Sequence, residues 1–328
     1  MSSPILSAVI AMLLSCAGAA GAWAQSASTA VQTVDTMNTL WGRHPHARAN
    51  HAKGVVVEGM FTPTPDAAGL SKASIFAGAA VPVTVRFSDS TGMTTLPDGS
   101  EPANPHGMSI KFRQANGAEV DVVTNSLPFF PVATGEEFLA LLQALAGSGP
   151  DAPKPTKADA FITEHPAVAK ALGALETPSS FARETYNGVD AFIFVNAGGT
   201  RQPFRLKIVP AAGTEHLSLA DAAKMPSDFL VDELPQRLAK DPESFHLMAQ
   251  LANPGDQTKD PSQPWPADRK VVDLGTVTLT KAVEDNEKAQ EALHYLPNRL
   301  QPGIEVSDDP LIDARVRVCV ISFGRRAQ

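Results

Sequence analysis

The 328-residue sequence is poor in cysteine and in tyrosine, with two residues of each. After its first 24 residues, it contains no run that approaches the roughly 20 apolar residues of a membrane-spanning helix. Lys and Arg are scattered and the net charge is -8, which argues against a nucleic-acid partner because phosphate binding requires a basic face. A glycine-rich phosphate loop, an internal repeat and a low-complexity tract are also absent. With 43% hydrophobic and 19% charged residues, the sequence predicts a large, well-packed globular domain.

The first 24 residues differ in kind from the rest. The apolar run Ile5 to Leu14 is followed by small residues and by Ala22-Trp23-Ala24, which is typical of a signal-peptidase site. We therefore expect a signal peptide over residues 1–24, a single domain over residues 25–328, and a periplasmic or secreted protein. An alternative is a lipoprotein, because Leu13-Leu14-Ser15-Cys16 resembles a lipoprotein box.

Export would leave Cys319 as the only cysteine of the mature chain, so no intramolecular disulfide can form. Spacing alone favours a buried structural thiol, since free cysteine behaves as a small hydrophobe. Arg315 lies four residues earlier, and the two side chains share a side in a helix or in a strand. A guanidinium beside a thiol favours the thiolate, which is the form that binds metals.

Apolar alternation and turn residues predict many strands joined by hairpins. The expected strands are Gly54 to Thr62, Pro82 to Ser88, Gly107 to Arg113, Ala118 to Thr124, Ala191 to Asn196, Phe204 to Val209 and Lys270 to Thr280. The expected helices are Met37 to Trp41, Glu136 to Ala146, Ala167 to Leu175, Asp228 to Ala239 and Glu243 to Leu251. This order indicates an α+β protein built on an antiparallel β-barrel, with inserted and C-terminal helices.

Two stretches carry chemistry-bearing residues. Arg48 and His51 precede the first strand, although a lone histidine there is more often structural. In the second strand, alternation places Arg86 and Ser88 on one face and the apolar residues on the other. Near the end of the chain, Ser307 to Pro310 is typical of a helix start, but the valines that follow favour a strand.

Together these stretches resemble the catalase superfamily, and within it the short, exported catalase-related haem peroxidases. The motifs follow the order of that family: Arg48 to Gly54; Val85-Arg86-Phe87-Ser88; Asn104-Pro105-His106-Gly107-Met108 to Phe112; Asp121 to Asn125 with Pro128-Phe129-Phe130; and Pro302-Gly303-Ile304 to Arg326. They cover almost the whole mature chain. The resemblance implies a haem b held between the barrel and a C-terminal helix.

The resemblance also implies roles for individual residues. His51 would be the distal acid-base group, Ser88 the hydroxyl that orients it, and Asn125 the distal amide that binds the peroxide. The other implied haem contacts are Arg48 and Arg86 with the propionates, Phe138 over the porphyrin, and Arg315 beside the proximal ligand. A neutral imidazole can move a proton between the two peroxide oxygens, and arginine suits a carboxylate.

The sequence departs from the family at the iron ligand. The family has a tyrosine four residues after the arginine, where this chain has Cys319. Neither Tyr186 nor Tyr295 has an arginine four residues before it. With the family in view, thiolate ligation by Cys319 is favoured over a haem without a protein ligand or no haem at all, and whether Cys319 is an engineered substitution stays open.

Three functions follow from these alternatives. The first is a haem peroxidase that reduces hydrogen peroxide and oxidises a small organic substrate. The second is a haem-thiolate peroxygenase, isomerase or dehydratase on the same scaffold. The third is a haem-free barrel that binds a small ligand. The oligomeric state stays open.

Overall fold

The computed structural model describes Gln25 and residues 27–326. The signal peptide expected over residues 1–24, with Cys16, lies outside this part of the chain, so the structure does not test it. Among the described residues, no helix combines the length and the apolar character that crossing a membrane requires.

The chain alternates groups of strands with helices. The strands are β1 (Gly54–Pro63), β2 (Val81–Ser88), β3 (Gly107–Arg113), β4 (Glu119–Asn125), β5 (Thr177–Pro178), β6 (Tyr186–Asn187), β7 (Phe192–Val195), β8 (Arg201–Pro210), β9 (His216–Leu217), β10 (Glu243–Leu251), β11 (Val271–Ala282) and β12 (Ile304–Val306). The helices are α1 (27–41), α2 (Pro65–Leu70), α3 (Gly135–Ala146), α4 (Lys157–Glu164), α5 (Pro166–Leu172), α6 (Leu219–Ala222), α7 (Phe229–Leu238), α8 (Asn286–Ala292) and α9 (Pro310–Arg326).

Eight strands close into an antiparallel barrel in the order β10-β11-β1-β2-β3-β4-β6-β8, with β8 pairing back onto β10. Closure removes the exposed edges that such a sheet would otherwise present. The α+β barrel expected from the sequence is therefore confirmed. The interior is filled by aromatic and aliphatic side chains, among them Phe61, Phe87, Phe112 and Phe245, each fully buried.

Strand β2 shows how the barrel wall separates core from cavity. Val83, Val85 and Phe87 point into the barrel core, as the alternation predicts. Arg86 and Ser88 point the other way and line a cavity outside the barrel. The barrel therefore presents polar side chains on its outer wall where that wall is covered by helices.

The segment Glu243–Leu251, expected as a helix, is the strand β10. Its buried residues recur at every second position, at Phe245, Leu247 and Ala249, which is the strand period. The helix prediction was wrong because Leu, Met, Ala and Gln favour helices and the pairing with β8 and β11 overrides that preference. This strand completes the barrel.

The helix predictions were also incomplete. Helices α2, α4, α6 and α8 were missed, and α1 is longer than the expected Met37 to Trp41. The early turns of α1 are rich in Ser and Thr, which compete with the backbone for hydrogen bonds. Here those hydroxyls bond within the helix instead, as when Thr33 donates to the Thr29 carbonyl at 2.8 Å.

The ambiguous segment after Pro310 is helical throughout α9. Asp309 caps its start, because its Oδ1 accepts a hydrogen bond from the Leu311 backbone N–H at 2.9 Å. Helix α3 packs closely against α9 at Gly135, where a Cβ atom would lie 2.7 Å from the Cβ of Ala314. Glycine therefore allows the two helices to approach each other beside the barrel wall.

Candidate active site

A cavity lies between the outer wall of the barrel and the helices α1, α3 and α9. Its volume is about 230 Å³. The sequence-predicted site residues all line it: Arg48, His51, Arg86, Ser88, Asn125, Phe138, Arg315 and Cys319. The structure thus brings together residues from five separate stretches of the chain, while their chemical roles remain predictions.

His51 is held in one orientation at the barrel wall. It has a left-handed backbone, with φ of 55°, which non-glycine residues rarely adopt. Its ring Nδ1 lies 2.8 Å from the Asp89 carbonyl and 3.2 Å from the Ser88 hydroxyl. Because a carbonyl can only accept, Nδ1 carries the proton, and Nε2 is the basic nitrogen. Burial and the nearby Arg86 lower the pKa of His51 to about 4, so the ring is neutral at neutral pH.

The contact from His51 Nδ1 to the Asp89 carbonyl is the shorter of the two, and the sequence did not predict it. Ser88 was expected to orient His51, and it lies within reach of the ring as the second partner. A backbone carbonyl leaves no signature in the residue type. The position of Asp89 directly after Ser88 would have been the only signal.

Asn125 ends β4, and its amide orientation is fixed. Its Oδ1 accepts a hydrogen bond from the Leu127 backbone N–H at 2.9 Å. This contact leaves the side-chain NH₂ as the group that can donate into the cavity. His51 and Asn125 therefore present one acceptor and one donor from the same wall.

Three arginines, the buried Arg86 and Arg326 and the half-buried Arg48, converge on the cavity without a carboxylate partner among the described residues. Arg48 donates to the Leu293 carbonyl at 2.8 Å, Arg86 to the Gln290 side chain at 2.7 Å, and Arg326 also to Leu293 at 2.8 Å. Burial, followed by mutual repulsion, holds the pKa of Arg48 well below its ordinary value. The cavity therefore carries concentrated positive charge that is balanced only by carbonyl and amide oxygens.

Arg326 is a site residue that the sequence reasoning did not single out. It lies near the end of α9, and its Nε is buried without a hydrogen-bond partner in the described chain. Burial lowers its pKa to about 10. The signal was its spacing, because Arg326 follows Cys319 by seven residues, which is two helical turns, and so shares its face.

The remaining wall of the cavity is largely apolar. Phe130 and Phe138 stack at a tilt, with ring centroids 5.3 Å apart, and both line the cavity. Helix α1 covers another side with Thr33 and Met37, which are buried. The ion pair between Arg325 and Asp35, at 2.6 Å, ties α1 to α9.

Cys319 is on the α9 wall of the cavity, on the same helix face as Arg315, as expected. Arg315 acts in the expected direction and lowers the pKa of Cys319, but it does not decide the protonation state of the sulfur. Arg315 forms an ion pair with the buried Asp190, which offsets its charge. Burial dominates and raises the pKa of Cys319, although Arg315, Arg48 and Arg326 act in the other direction. The sulfur is therefore a thiol at neutral pH.

His294 also lines the cavity and was not considered from the sequence. Its ring stacks on Phe323 with centroids 4.5 Å apart, and its Nε2 lies 2.7 Å from Arg299 Nη2. Burial, with Arg299 and Lys111, lowers the pKa of His294. The cavity thus contains a second neutral imidazole beside α9.

Comparisons with known proteins converge on one family. The family model for catalase matches residues 19–318. A catalase-related peroxidase of Mycolicibacterium paratuberculosis is 35% identical over 299 residues, covering 90% of this chain and 94% of that protein. A catalase-related peroxidase of Synechococcus elongatus is 31% identical over 313 residues, covering 93% and 91% of the two chains.

Solved structures agree on the fold. A bacterial catalase superposes with a TM-score of 0.77 at 22% identity, covering 85% of this chain. A fungal catalase gives the same score and identity. The chain spans only 57% and 59% of these two structures, whereas it matches the peroxidase relatives over nearly their full length.

Proposed function

Because this chain belongs to the catalase family, we propose that it is a haem b peroxidase that reduces hydrogen peroxide while oxidising a small organic substrate. Family membership and the peroxidase relatives identify it as an oxidoreductase and imply haem and hydrogen peroxide. The observation that carries the finer proposal is the cavity in which neutral His51 faces three arginines that lack a carboxylate.

The residues present fit a haem. A porphyrin with two propionates offers a flat apolar body and two carboxylates. The cavity has the tilted aromatic pair of Phe130 and Phe138 for the first and the guanidiniums of Arg48, Arg86 and Arg326 for the second. The orphaned Nε of Arg326 is a buried donor that an anionic group would satisfy. Arginine is the residue best matched to a carboxylate.

Cys319, on the α9 wall of the cavity, would hold the haem iron. When bound, the haem supplies the redox chemistry that cleaves the O–O bond. Ligation requires loss of the thiol proton, which metals enforce on cysteine. The nearby guanidiniums that lower the pKa of Cys319 would then stabilise the thiolate.

His51 would move the proton during peroxide cleavage. Its Nε2 is the acceptor for the proton of one peroxide oxygen, since Nδ1–H is committed to the Asp89 carbonyl. The same nitrogen can return that proton to the other oxygen, which leaves as water. The NH₂ of Asn125 can donate to the peroxide and hold it against the wall.

A second candidate is a haem-thiolate peroxygenase, isomerase or dehydratase. Cys319 favours it, because a thiolate ligand promotes O–O cleavage and oxygen transfer. The third alternative, a haem-free binder, is opposed by the charge of the cavity. An apolar ligand would leave three guanidiniums buried and unbalanced.

The test is spectroscopic. Protein produced with added haem is purified, and the absorption spectra of its ferric form and of its reduced carbon monoxide complex are recorded. A red-shifted Soret band in the complex that is lost in Cys319→Ser supports thiolate ligation. An identical spectrum in Cys319→Ser refutes ligation by Cys319, and failure to bind haem at all refutes the peroxidase. Assays with peroxide plus phenolic or unsaturated substrates then separate one-electron oxidation from oxygen transfer.

A further inference from the structure

A buried polar cluster lies directly behind His51. Its members are Lys53, Asp89, Asp98 and His106, and their exposed fractions are 8%, 0%, 0% and 0%. None of the roles assigned above uses their side chains. Buried ionisable groups are costly unless they are paired, so a cluster of four beside the distal wall requires an explanation.

Two members of the cluster neutralise each other. Lys53 forms an ion pair with Asp98 and a second with the half-exposed Asp228 at 2.6 Å. It also donates to the carbonyls of Leu96 and Ser227 at 2.9 and 2.8 Å. Asp98 in turn accepts from the Leu230 N–H at 2.7 Å. The charge of Lys53 is therefore already matched.

Asp89 and His106 are left over. No donor among the described residues reaches either carboxyl oxygen of Asp89, and neither ring nitrogen of His106 has a partner there. Asp89 Oδ1 and His106 Nε2 are 3.5 Å apart, and the Asp98 carboxyl is near enough to share a hydrogen bond with a protonated Asp89. Burial and Asp98 raise the pKa of Asp89, and burial, with His51, lowers the pKa of His106 to about 3. Both groups are thus neutral at neutral pH. A protonated Asp89 can donate its O–H to a nearby acceptor.

The backbones of Asp89 and His106 hold the two polar groups of the distal wall. Asp89 donates its N–H to the Lys53 carbonyl at 3.1 Å and accepts from His51 Nδ1 at 2.8 Å. The His106 carbonyl accepts from the Ser126 N–H at 2.8 Å, next to Asn125. A displacement of this cluster would therefore move the contact that fixes the His51 tautomer.

We propose that Asp89 is a positioning residue for His51, and that its side chain does this as a neutral carboxylic acid held between Asp98 and His106. The inference rests on the proposed role of His51. Ionised Asp89 would face the carboxylate of Asp98, with only Lys53 and, farther off, Arg86 as cations. Neutral His106 and His51 add no positive charge there. Repulsion would then pull the Asp89 carbonyl away from His51.

The proposal is tested with Asp89→Asn, which mimics the neutral acid, and Asp89→Leu, which removes the polar group. Asp273→Asn is the matched control, since Asp273 pairs with His246 at the surface. Thermal unfolding is followed from acid to alkaline pH. As pH increases, the unfolding midpoint of Asp89→Asn should rise relative to that of wild type. Only wild type must either keep Asp89 protonated or bury its carboxylate beside that of Asp98. The control should run parallel to wild type.

The second readout is the tautomer of His51, from ¹⁵N spectra of histidine-labelled protein assigned with a His51→Gln variant. Wild type and Asp89→Asn should show the Nδ1–H form, and Asp89→Leu a mixture. The ratio of peroxide turnover at alkaline to neutral pH should also be higher for Asp89→Asn than for wild type. A pH-independent stability difference, or an unchanged tautomer in Asp89→Leu, overturns the inference. The unfolding and tautomer measurements do not require turnover, so each can fail or succeed separately from the peroxidase proposal.

Discussion

Replacing Arg326 with glutamine should weaken haem binding, while two opposing effects act on the stability of the protein without haem. In the haem-free protein the charge of Arg326 destabilises the folded state, because burial lowers its pKa from 12.5 to about 10. At about 1.4 kcal/mol per pKa unit, this corresponds to roughly 3 kcal/mol of destabilisation at neutral pH. The substitution removes this cost and also relieves the repulsion of Arg48.

The gain is reduced by the lost hydrogen bonds. Arg326 donates to the carbonyls of Gln290, Glu291 and Leu293, and glutamine can replace one of these bonds. Each such bond to a charged group contributes about 1.5–3 kcal/mol, so losing the other two costs about 3–6 kcal/mol. The haem-free protein should therefore lie between unchanged stability and a loss of about 3 kcal/mol. Haem binding should weaken by about 1.5–3 kcal/mol, or about 10- to 150-fold.

The assay combines haem titration, followed by Soret absorbance, with urea unfolding of the haem-free protein. Arg325→Gln is the control, because Arg325 is adjacent, more exposed and paired with Asp35. An exposed pair contributes at most about 1 kcal/mol, so the control should bind haem like wild type. If Arg326→Gln binds haem as tightly as wild type, the assignment of the arginine cluster to the propionates is wrong.

Three further predictions concern the cavity walls. His51→Ala should retain haem and lose about 10²- to 10⁴-fold in peroxide turnover, and unchanged turnover measured by stopped flow would exclude His51 as the acid-base group. Cys319→Tyr should shift the haem spectrum and the chemistry toward those of a tyrosine-ligated catalase, whereas an unaltered spectrum would mean that Cys319 does not contact iron. Since the folded-state pKa of His51 is about 4 and an unfolded histidine titrates near about 6.5, the unfolded chain alone binds this proton in between. Wild type should therefore lose stability relative to His51→Gln as pH falls from about 6.5 to about 4 in urea titrations, and parallel curves would contradict the buried neutral ring.

The sequence predicted what depends on local pattern. Alternation identified β2 and separated Arg86 and Ser88 from the core, and the Asn116-Gly117 pair located the hairpin between β3 and β4. The order of the family motifs then predicted that distant residues such as His51 and Cys319 lie at one site, and both line the same cavity. Both depend on short stretches whose geometry is fixed by a period or by a turn.

The failures came where distant contacts decide the outcome. Glu243–Leu251 has helix-favouring residues, and only its two neighbouring strands make it a strand. Arg326 was missed because its role comes from convergence with Arg48 and Arg86, which lie far away in sequence. The spacing of Cys319 from Arg315 predicted the direction of that arginine's effect. It could not reveal the burial that raises the pKa of Cys319, nor the pairing of Arg315 with Asp190, 125 residues away.

Asp190 also decides how the charge of the cavity is divided. Its pairing with Arg315 removes one of four guanidiniums from the positive field, and Arg48, Arg86 and Arg326 remain. In the proposed haem-bound state, the two propionates would balance two of these charges and a thiolate at Cys319 the third. The iron–porphyrin core would add one positive charge in its ferric form and none in its ferrous form. An Asp190→Asn variant would leave the charge of Arg315 without its partner, and it should strengthen the preference of the site for an anionic ligand at Cys319. The measurement is haem retention, which should be tighter than in wild type. Equal retention would show that Arg315 does not act on the ligand through its charge.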